Sequence, residues 1–363
     1  MSDTRDPSAD SIESRKQALT HWARQNLQPV IPEAGQLVLE SLGSDAGFRR
    51  YYRAQAPVTG QPPFLAVDAP PETENTALFV KLARYLRDQG VNAPTVIAAD
   101  AAQGFLVVED FGDRLLRNEL TQDTACTLYG EALMVLLRLQ QATDIPAELP
   151  QYDQAMLRRE LEIFSEWFVA RLLGYSLNQA EQALLQRVFT QLETTALEQP
   201  QLLVHRDYHS RNLLLCDSGQ IGVIDFQGAV RGPFAYDLVS LLRDCYIRWP
   251  QEDVKRWALS YGNMAMDVGV IPAVDEATYL RWFDWMGLQR HIKVLGIFAR
   301  LHLRDGKHHY LADLPLVLRY TLDVARSYPQ LNEFVIWFEQ QLLPLIEQQP
   351  WYTDYRRAGD INA

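Results

Sequence analysis

Two short apolar runs, Leu202-Leu203-Val204 and Ile221-Gly222-Val223-Ile224-Asp225, enclose the stretch that constrains this chain most: His205-Arg206-Asp207-Tyr208-His209-Ser210-Arg211-Asn212. Asp207 precedes Asn212 by five positions, and Asn212 precedes Asp225 by 13. Phosphoryl transfer needs such a set: one carboxylate to orient the attacking hydroxyl, and an amide oxygen and a second carboxylate to hold magnesium on nucleotide phosphates. Strand ends on either side of a loop supply the short, rigid tethers. Loops favour Asn and Asp for purely local reasons, so one H-x-D-x-x-x-x-N match alone would say little. The strand context and the downstream aspartate at matched spacing decide for the chemistry. A polar stretch and an Asp217-Ser218-Gly219 turn of hairpin type join the two runs.

The 363 residues suggest two domains or one two-lobed domain. Residues 1–10 read as disordered, followed by a helical pattern from Ser11 to Leu27 with Asp10 or Ser11 as its cap. Strand-like runs come at 37–42, 48–54 and 63–69. A helical segment over 72–89 is stopped by Gly90, and further strands are expected at 95–100 and 105–110. Beyond Asp113, helical periodicity dominates 114–142, 152–173, 178–199 and 236 to about 346. The expected fold is therefore α+β and two-lobed. A small β-rich N-terminal nucleotide-binding lobe spans 1–110, a hinge lies near 109–113, and a larger, mainly helical catalytic and acceptor-binding lobe spans 111–363.

The motif residues match the protein-kinase catalytic loop H-R-D-x-x-x-x-N, with Asp225-Phe226 in place of its Asp-Phe-Gly metal motif. Across most of its length the chain resembles the aminoglycoside phosphotransferase family, small-molecule kinases on the protein-kinase fold. HRDYHSRNLLL and VIDFQGAVRGPFAYDLVSLLRD carry that resemblance. It implies a protein-kinase-like fold, ATP and Mg2+ as cofactors, Asp207 as catalytic base, and Asn212 and Asp225 as metal ligands. Asp237, in Gly232-Pro233-Phe234-Ala235-Tyr236-Asp237-Leu238, is read as a helix cap that braces the catalytic loop. More narrowly, segments 66–72, 106–113, 157–168 and 286–307 resemble the bacterial anomeric sugar kinases acting on N-acetylmuramate and N-acetylglucosamine. That resemblance implies a sugar 1-phosphate product and a place in peptidoglycan recycling.

Gly43-Ser44-Asp45-Ala46-Gly47 sits between the first two strand runs. Its glycines let backbone N–H groups approach phosphates closely, and the Ser44 hydroxyl adds a donor. Glu109, Asp110 and Phe111 form the presumed hinge, whose backbone groups meet the adenine edge. One expected residue is missing. Protein kinases grip the phosphates with a third-strand lysine paired to a helix glutamate, whereas the corresponding run here, Phe64 to Ala69, has no lysine. Arg49, Arg50 and Arg53 either replace it or form a solvated strand edge. Glu72 and Glu74 read as charges favouring a helix N-terminus.

For the acceptor, Glu160, Arg290 and His291 are the candidate substrate residues, with Trp167, Trp282 and Trp285 as flat apolar surfaces. Carbohydrates need hydrogen-bonding charges beside such surfaces, although aromatics at helical spacing usually belong to a core. Composition narrows the partners further. Basic residues number 34 against 46 acidic ones, a net charge of −12. That balance removes the global attraction that drives nucleic-acid binding. Three scattered cysteines, a polar N-terminus and no long apolar run point to a cytoplasmic chain without a membrane span. A small amino sugar is the expected partner, and no obligate protein partner is evident. Kinases of aminoglycosides, choline or homoserine, and a nucleotide-binding pseudokinase, are the alternatives.

Overall fold

The computed structural model describes residues 9–28, 35–43, 48–54 and 63–360. Helix α1 (Ala9–Leu27) leads into five short strands: β1 (Leu39–Ser41), β2 (Arg50–Ala54), β3 (Phe64–Asp68), β4 (Val96–Asp100) and β5 (Phe105–Glu109). They form one sheet in the order β1-β2-β3-β5-β4, with neighbours antiparallel. Period-two alternation assigns the faces. Tyr52, Phe64, Ala66, Phe105 and Val107 meet Leu19, Trp22, Ala23 and Leu27 of α1 in a closed apolar cluster. Because α1 begins at Ala9, Asp10 and Ser11 lie inside the helix instead of capping it. Of residues 1–10, expected to be disordered, 9 and 10 belong to α1 and 1–8 lie outside the described residues. Helix α2 (Thr76–Asp88) starts four residues later than the sequence pattern suggests, because Asn75 caps it by accepting from Leu78 N. Gly90 follows at φ +76°, the left-handed position that ends the helix.

The helices α3 (Leu116–Glu119), α4 (Ala125–Gln140) and α5 (Gln154–Ile163) come next. A π-helical stretch, Phe164–Leu172, continues α5, and α6 (Gln179–Leu197) opens on a capping box between Asn178 and Glu181. Four strands follow: β6 (Gln201–Val204), β7 (Leu213–Leu215), β8 (Ile221–Val223) and β9 (Val230–Pro233). Here the strand expectation needs correction. The runs at 202–204 and 221–225 do not pair with each other: β6 pairs with β9, and β7 pairs with β8. Asp217-Ser218-Gly219 turns the β7–β8 hairpin, with Gly219 at φ +79°. Leu213-Leu214-Leu215 carries no period by which a strand could be told from a helix.

Six further helices complete the fold: α7 (Ala235–Leu242), α8 (Gln251–Asp267), α9 (Glu276–Asp305), α10 (Leu314–Arg326), α11 (Asn332–Trp337) and α12 (Leu343–Ile346). The chain divides into two compact units. One comprises Met1–Arg114 and Leu214–Gln227, so the hairpin and Asp225 join the sheet unit; the other comprises Leu115–Leu213 and Gly228–Ala363. No helix among the described residues is long and apolar enough to cross a membrane.

The 30-residue α9 is the spine of the helical unit, packing against α5, the π-helical stretch, α6, α7 and α10. Its closest approach is at Gly296, where an added Cβ would lie 2.5 Å from Ile163 C and Phe164 N. Both are main-chain atoms that cannot rotate away. Gly296→Ala is expected to destabilise the protein by about 1–3 kcal/mol, the usual cost of overpacking. A lowered urea midpoint at unchanged m-value checks this; an unshifted midpoint would show that the two helices can separate freely.

Candidate active site

In the helical unit the stretch after β6 is held by buried carboxylates. Asp237, in the first turn of α7, accepts from His205 N at 2.6 Å and from Arg206 N at 2.9 Å. It thus braces the loop, and it makes no cap for its own helix. Asp244, just past α7, accepts from both the backbone N–H and the hydroxyl of Ser210. Tyr208 reaches from the loop to Ala132 O at 2.8 Å. Asn212 Nδ2 donates to Asp207 O at 2.9 Å, which commits the amide nitrogen, so Oδ1 is the side-chain atom that could serve a metal. Arg206 lies at φ +80°, a strained position for a side chain of its size. Burial raises the Asp237 carboxyl to about 6, although His205 and the two N–H donors pull the other way.

Asp207 stands among cations. Burial pushes its carboxyl up, but Lys293, Arg290, His209 and Arg206 together hold it below the ordinary aspartate range. Three of those groups, Arg206, Arg290 and Lys293, belong to one network. Glu160 accepts from Tyr152 Oη, from Arg206 Nη2 and from Lys293 Nζ, the last at 3.0 Å. Lys293 Nζ also donates to Tyr236 Oη at 2.9 Å, and Gln289 Nε2 to Tyr152 Oη at 3.2 Å. Arg290 Nη1 lies 3.3 Å from Arg206 O. Glu160 is itself buried, which raises its carboxyl, but Lys293 and Arg206 bring it below the usual carboxylate value. Glu160 and Arg290, both expected from the sequence to meet substrate, are therefore brought to the surroundings of Asp207.

His291 is not. It is fully buried, its Nε2 lies 3.0 Å from Arg243 O, and its ring stacks on Tyr320 with centroids 4.8 Å apart. Its neighbour on α9 turns toward Asp207, whereas His291 points into the core about a quarter-turn away. Trp285 is likewise core, and Trp282 donates to Glu198 at 2.8 Å. Trp167 lies under the Arg171 guanidinium, 4.0 Å from the ring centroid.

In the sheet unit, Gly43 adopts φ +88°; Ser44 and Gly47 lie outside the described residues. Arg50 and Arg53 are neither phosphate ligands nor a solvated edge. Arg50 joins Arg15 on the buried Asp68, and Arg53 forks onto Asp110 and Asp113. Arg49 pairs with Glu74 at 2.8 Å, so Glu74 is an ion-pair partner as well as a charge near a helix start. Glu109 uses its side chain on Thr95 N and Oγ1, which leaves only its backbone for a base. The Phe111 ring lies against Gly222, where a Cβ would sit 2.4 Å away. Asp225 takes φ +64° and accepts from Gln227 Nε2, while Phe226 stacks on Phe79 at 4.9 Å. Among the described residues no cluster of three His, Cys, Asp or Glu could hold a metal. A carboxylate and an amide oxygen instead suit magnesium, which takes one or two protein oxygens and completes its shell with phosphates and water.

Residues 38–275 match the family described as "Phosphotransferase enzyme family". The chain belongs to that family. This phosphotransferase is 40% identical over 326 residues to an N-acetylmuramate/N-acetylglucosamine kinase of Pseudomonas putida, covering 88% of this chain and 94% of the relative. It is 41% identical over 290 residues to a protein of the same name from Pseudomonas aeruginosa, covering 80% and 84%. In fold it is similar to the Plasmodium vivax ethanolamine kinase, with a TM-score of 0.63, 13% identity and coverage of 90% and 93%. The phosphotransferase is a small-molecule kinase with the protein-kinase-like architecture expected from its catalytic motif.

Sequence reasoning overlooked Lys293, Arg206, Asp244 and Tyr152 in this phosphotransferase. One signal was at hand: Lys293 is one of five lysines in the chain and falls within a run of α9 that is almost entirely buried. Lys and Arg are rarely buried without a partner.

The core position of His291 has a pH signature. Burial lowers its imidazole to about 3, against about 6.5 in an unfolded chain. Between those values the unfolded state binds the proton and the folded state does not, so stability falls as pH drops below about 6.5. The loss is about 1 kcal/mol over the first unit and approaches about 1.4 kcal/mol per unit below it. His291→Gln should therefore show a shallower decline in unfolding free energy between pH 7 and 5 than the wild type, measured by denaturant titration. Equal slopes would remove His291 from the buried, neutral state.

Proposed function

We propose that this phosphotransferase uses ATP and magnesium, in the cytoplasm, to phosphorylate the anomeric hydroxyl of N-acetylmuramate and N-acetylglucosamine. The sugar 1-phosphate it forms belongs to cell-wall sugar recycling. One observation carries the reading: the chain is about 40% identical, over nearly its whole length, to relatives named for those two sugars. The cations about Asp207 support it, since Arg206, Arg290 and Lys293 create a field suited to an acceptor bearing a carboxylate, as N-acetylmuramate does.

In this reading Asp207 orients the attacking hydroxyl and takes its proton. Asn212 Oδ1 and the Asp225 carboxylate hold magnesium. Gly43, Ser44 and Gly47 bring backbone donors to the phosphates, and the backbone from Glu109 to Phe111 meets the base. Bound Mg-ATP supplies the phosphoryl group and neutralises charge on the transferring oxygens. A carboxylate held below its usual range is a weak base. That suffices here, because a loose transition state demands little early deprotonation, and an anomeric hydroxyl is more acidic than an ordinary alcohol. Glu160 and Arg290 contribute by fixing the remaining hydroxyls and the acetamido group.

Asp207→Asn preserves shape and removes the proton acceptor, so kcat should fall about 10²–10⁴-fold with the thermal midpoint nearly unchanged. Near-wild-type kcat in the folded variant would overturn the assignment. Regiochemistry tests the acceptor. Phosphorus NMR of the product should show a sugar 1-phosphate, and the methyl glycosides of both sugars, blocked at C1, should act at most as inhibitors. Phosphorylation at C6, or turnover of a methyl glycoside, would mean that another hydroxyl faces Asp207.

A further inference from the structure

The third strand of the sheet lacks the phosphate-gripping lysine of protein kinases, and the structure indicates what stands in its place. In the β2–β3 register Arg50 is opposite Asp68 and Tyr51 is opposite Val67. Directly opposed residues share a face, and the faces alternate. Arg50 and Asp68 point toward α1, as their ion pair with Arg15 requires. Val67 and Tyr51 therefore lie on the opposite face, and Arg49, two residues before Tyr51, follows them. On that face β3 presents only Leu65 and Val67, so the cation there comes from the start of the neighbouring strand.

Arg49 is built in. It is only 6% exposed, its Nη2 pairs with Glu74 at 2.8 Å, and its guanidinium lies 5.0 Å from the Phe79 ring centroid. Phe79 in turn stacks on Phe226, the residue after Asp225. The Asp225 charge is close enough to act on both Glu74 and Tyr51. Yet among the described residues Nε and Nη1 of Arg49 are buried without a hydrogen-bond partner. A guanidinium with one edge spent on a carboxylate and two nitrogens unmatched is expensive to bury. Those two nitrogens lie on different edges of the group, and each keeps an N–H with which to donate to an oxyanion.

We propose that Arg49 binds the phosphate oxygens of the nucleotide, and that Glu74 holds it in position. The pair does the work of the strand lysine and helix glutamate of protein kinases, carried on β2 instead of β3. Glu74 orients Arg49 and does not itself touch the nucleotide. This inference rests on the kinase reading above. Arginine also explains how the chain manages without a lysine: its planar head can pair with Glu74 through one nitrogen and still offer N–H donors from the others, where an ammonium would present a single point charge.

The test is direct binding, by isothermal titration of the full chain with Mg-ADP and, separately, with adenosine. Arg49→Met should weaken Mg-ADP about 10–100-fold, the effect of losing charge-assisted bonds, and leave adenosine affinity unchanged. Arg49→Lys should recover part of the loss, and Glu74→Gln should weaken Mg-ADP less than Arg49→Met does. A purely structural Arg49 would instead lower affinity for both ligands, or for neither; either result overturns the proposal. If Arg49→Met does not fold, Arg49→Lys decides alone: weaker Mg-ADP with unchanged adenosine supports the assignment, and wild-type Mg-ADP affinity refutes it. Failure of the wild type to bind Mg-ADP would instead overturn the kinase reading.

Discussion

The helical unit depends on a buried carboxylate gripping the start of its catalytic loop. Asp237 is fully buried and accepts from two successive backbone N–H groups, those of His205 and Arg206. Neither donor has a place in the β6–β9 ladder, so without Asp237 two main-chain groups would be buried unpaired. The cost shows in the carboxyl itself, which burial raises to about 6. Asp244 repeats the device at Ser210. The two carboxylates lie seven positions apart, two turns of helix, and α7 lies against the spine helix α9. The loop is thus referenced to the longest helix of its unit, which is how a loop residue such as Asp207 acquires a fixed direction.

A second constraint follows from drawing Asp207, which is half-buried, away from solvent. A lone carboxylate in such surroundings would protonate. Lys293, Arg290 and Arg206 prevent that, and they in turn need an anion of their own, which Glu160 provides. Breaking such a network by removing one member leaves another buried charge uncompensated, and that commonly costs 3–5 kcal/mol. The cluster therefore keeps the Asp207 carboxyl ionised. The sheet unit follows the same logic on a smaller scale, where Arg53 ties β2 to Asp110 and Asp113.

What was legible in the sequence was what is local. Asp207, Asn212 and Asp225 sit within one strand–loop–hairpin stretch, so the motif could be read from chain spacing alone. The five strands of the sheet were readable for the same reason, since alternation and turn residues act over a few positions. Pairing across the chain was not. β6 finds β9 because Val230–Pro233 returns beside it, a long-range choice made by packing. Lys293 lies 133 positions from Glu160, and no local pattern connects them. His291 and Arg290 are adjacent in sequence, and helix phase alone separates core from site. The missing lysine was plain to read, but its replacement required the register that sets Arg49 on the face opposite Arg50.

Two backbone strains show how far side-chain identity is tied to these positions. Arg206 and Asp225 both occupy positive φ, at +80° and +64°, where a non-glycine residue costs about 1–3 kcal/mol. Glycine would relieve either strain, and neither position can accept it. At 206 the side chain supplies the ion pair to Glu160 and part of the field on Asp207. At 225 the left-handed turn follows directly from β8, so the carboxylate leaves the strand end in a direction that a continuing strand could not give it. Aspartate tolerates that region better than most residues, because its short polar side chain bonds locally. Asp225 does so by accepting from Gln227. The strain is retained at two positions whose side chains each hold a polar partner, Glu160 for Arg206 and Gln227 for Asp225, and the packing of each unit is what keeps it there.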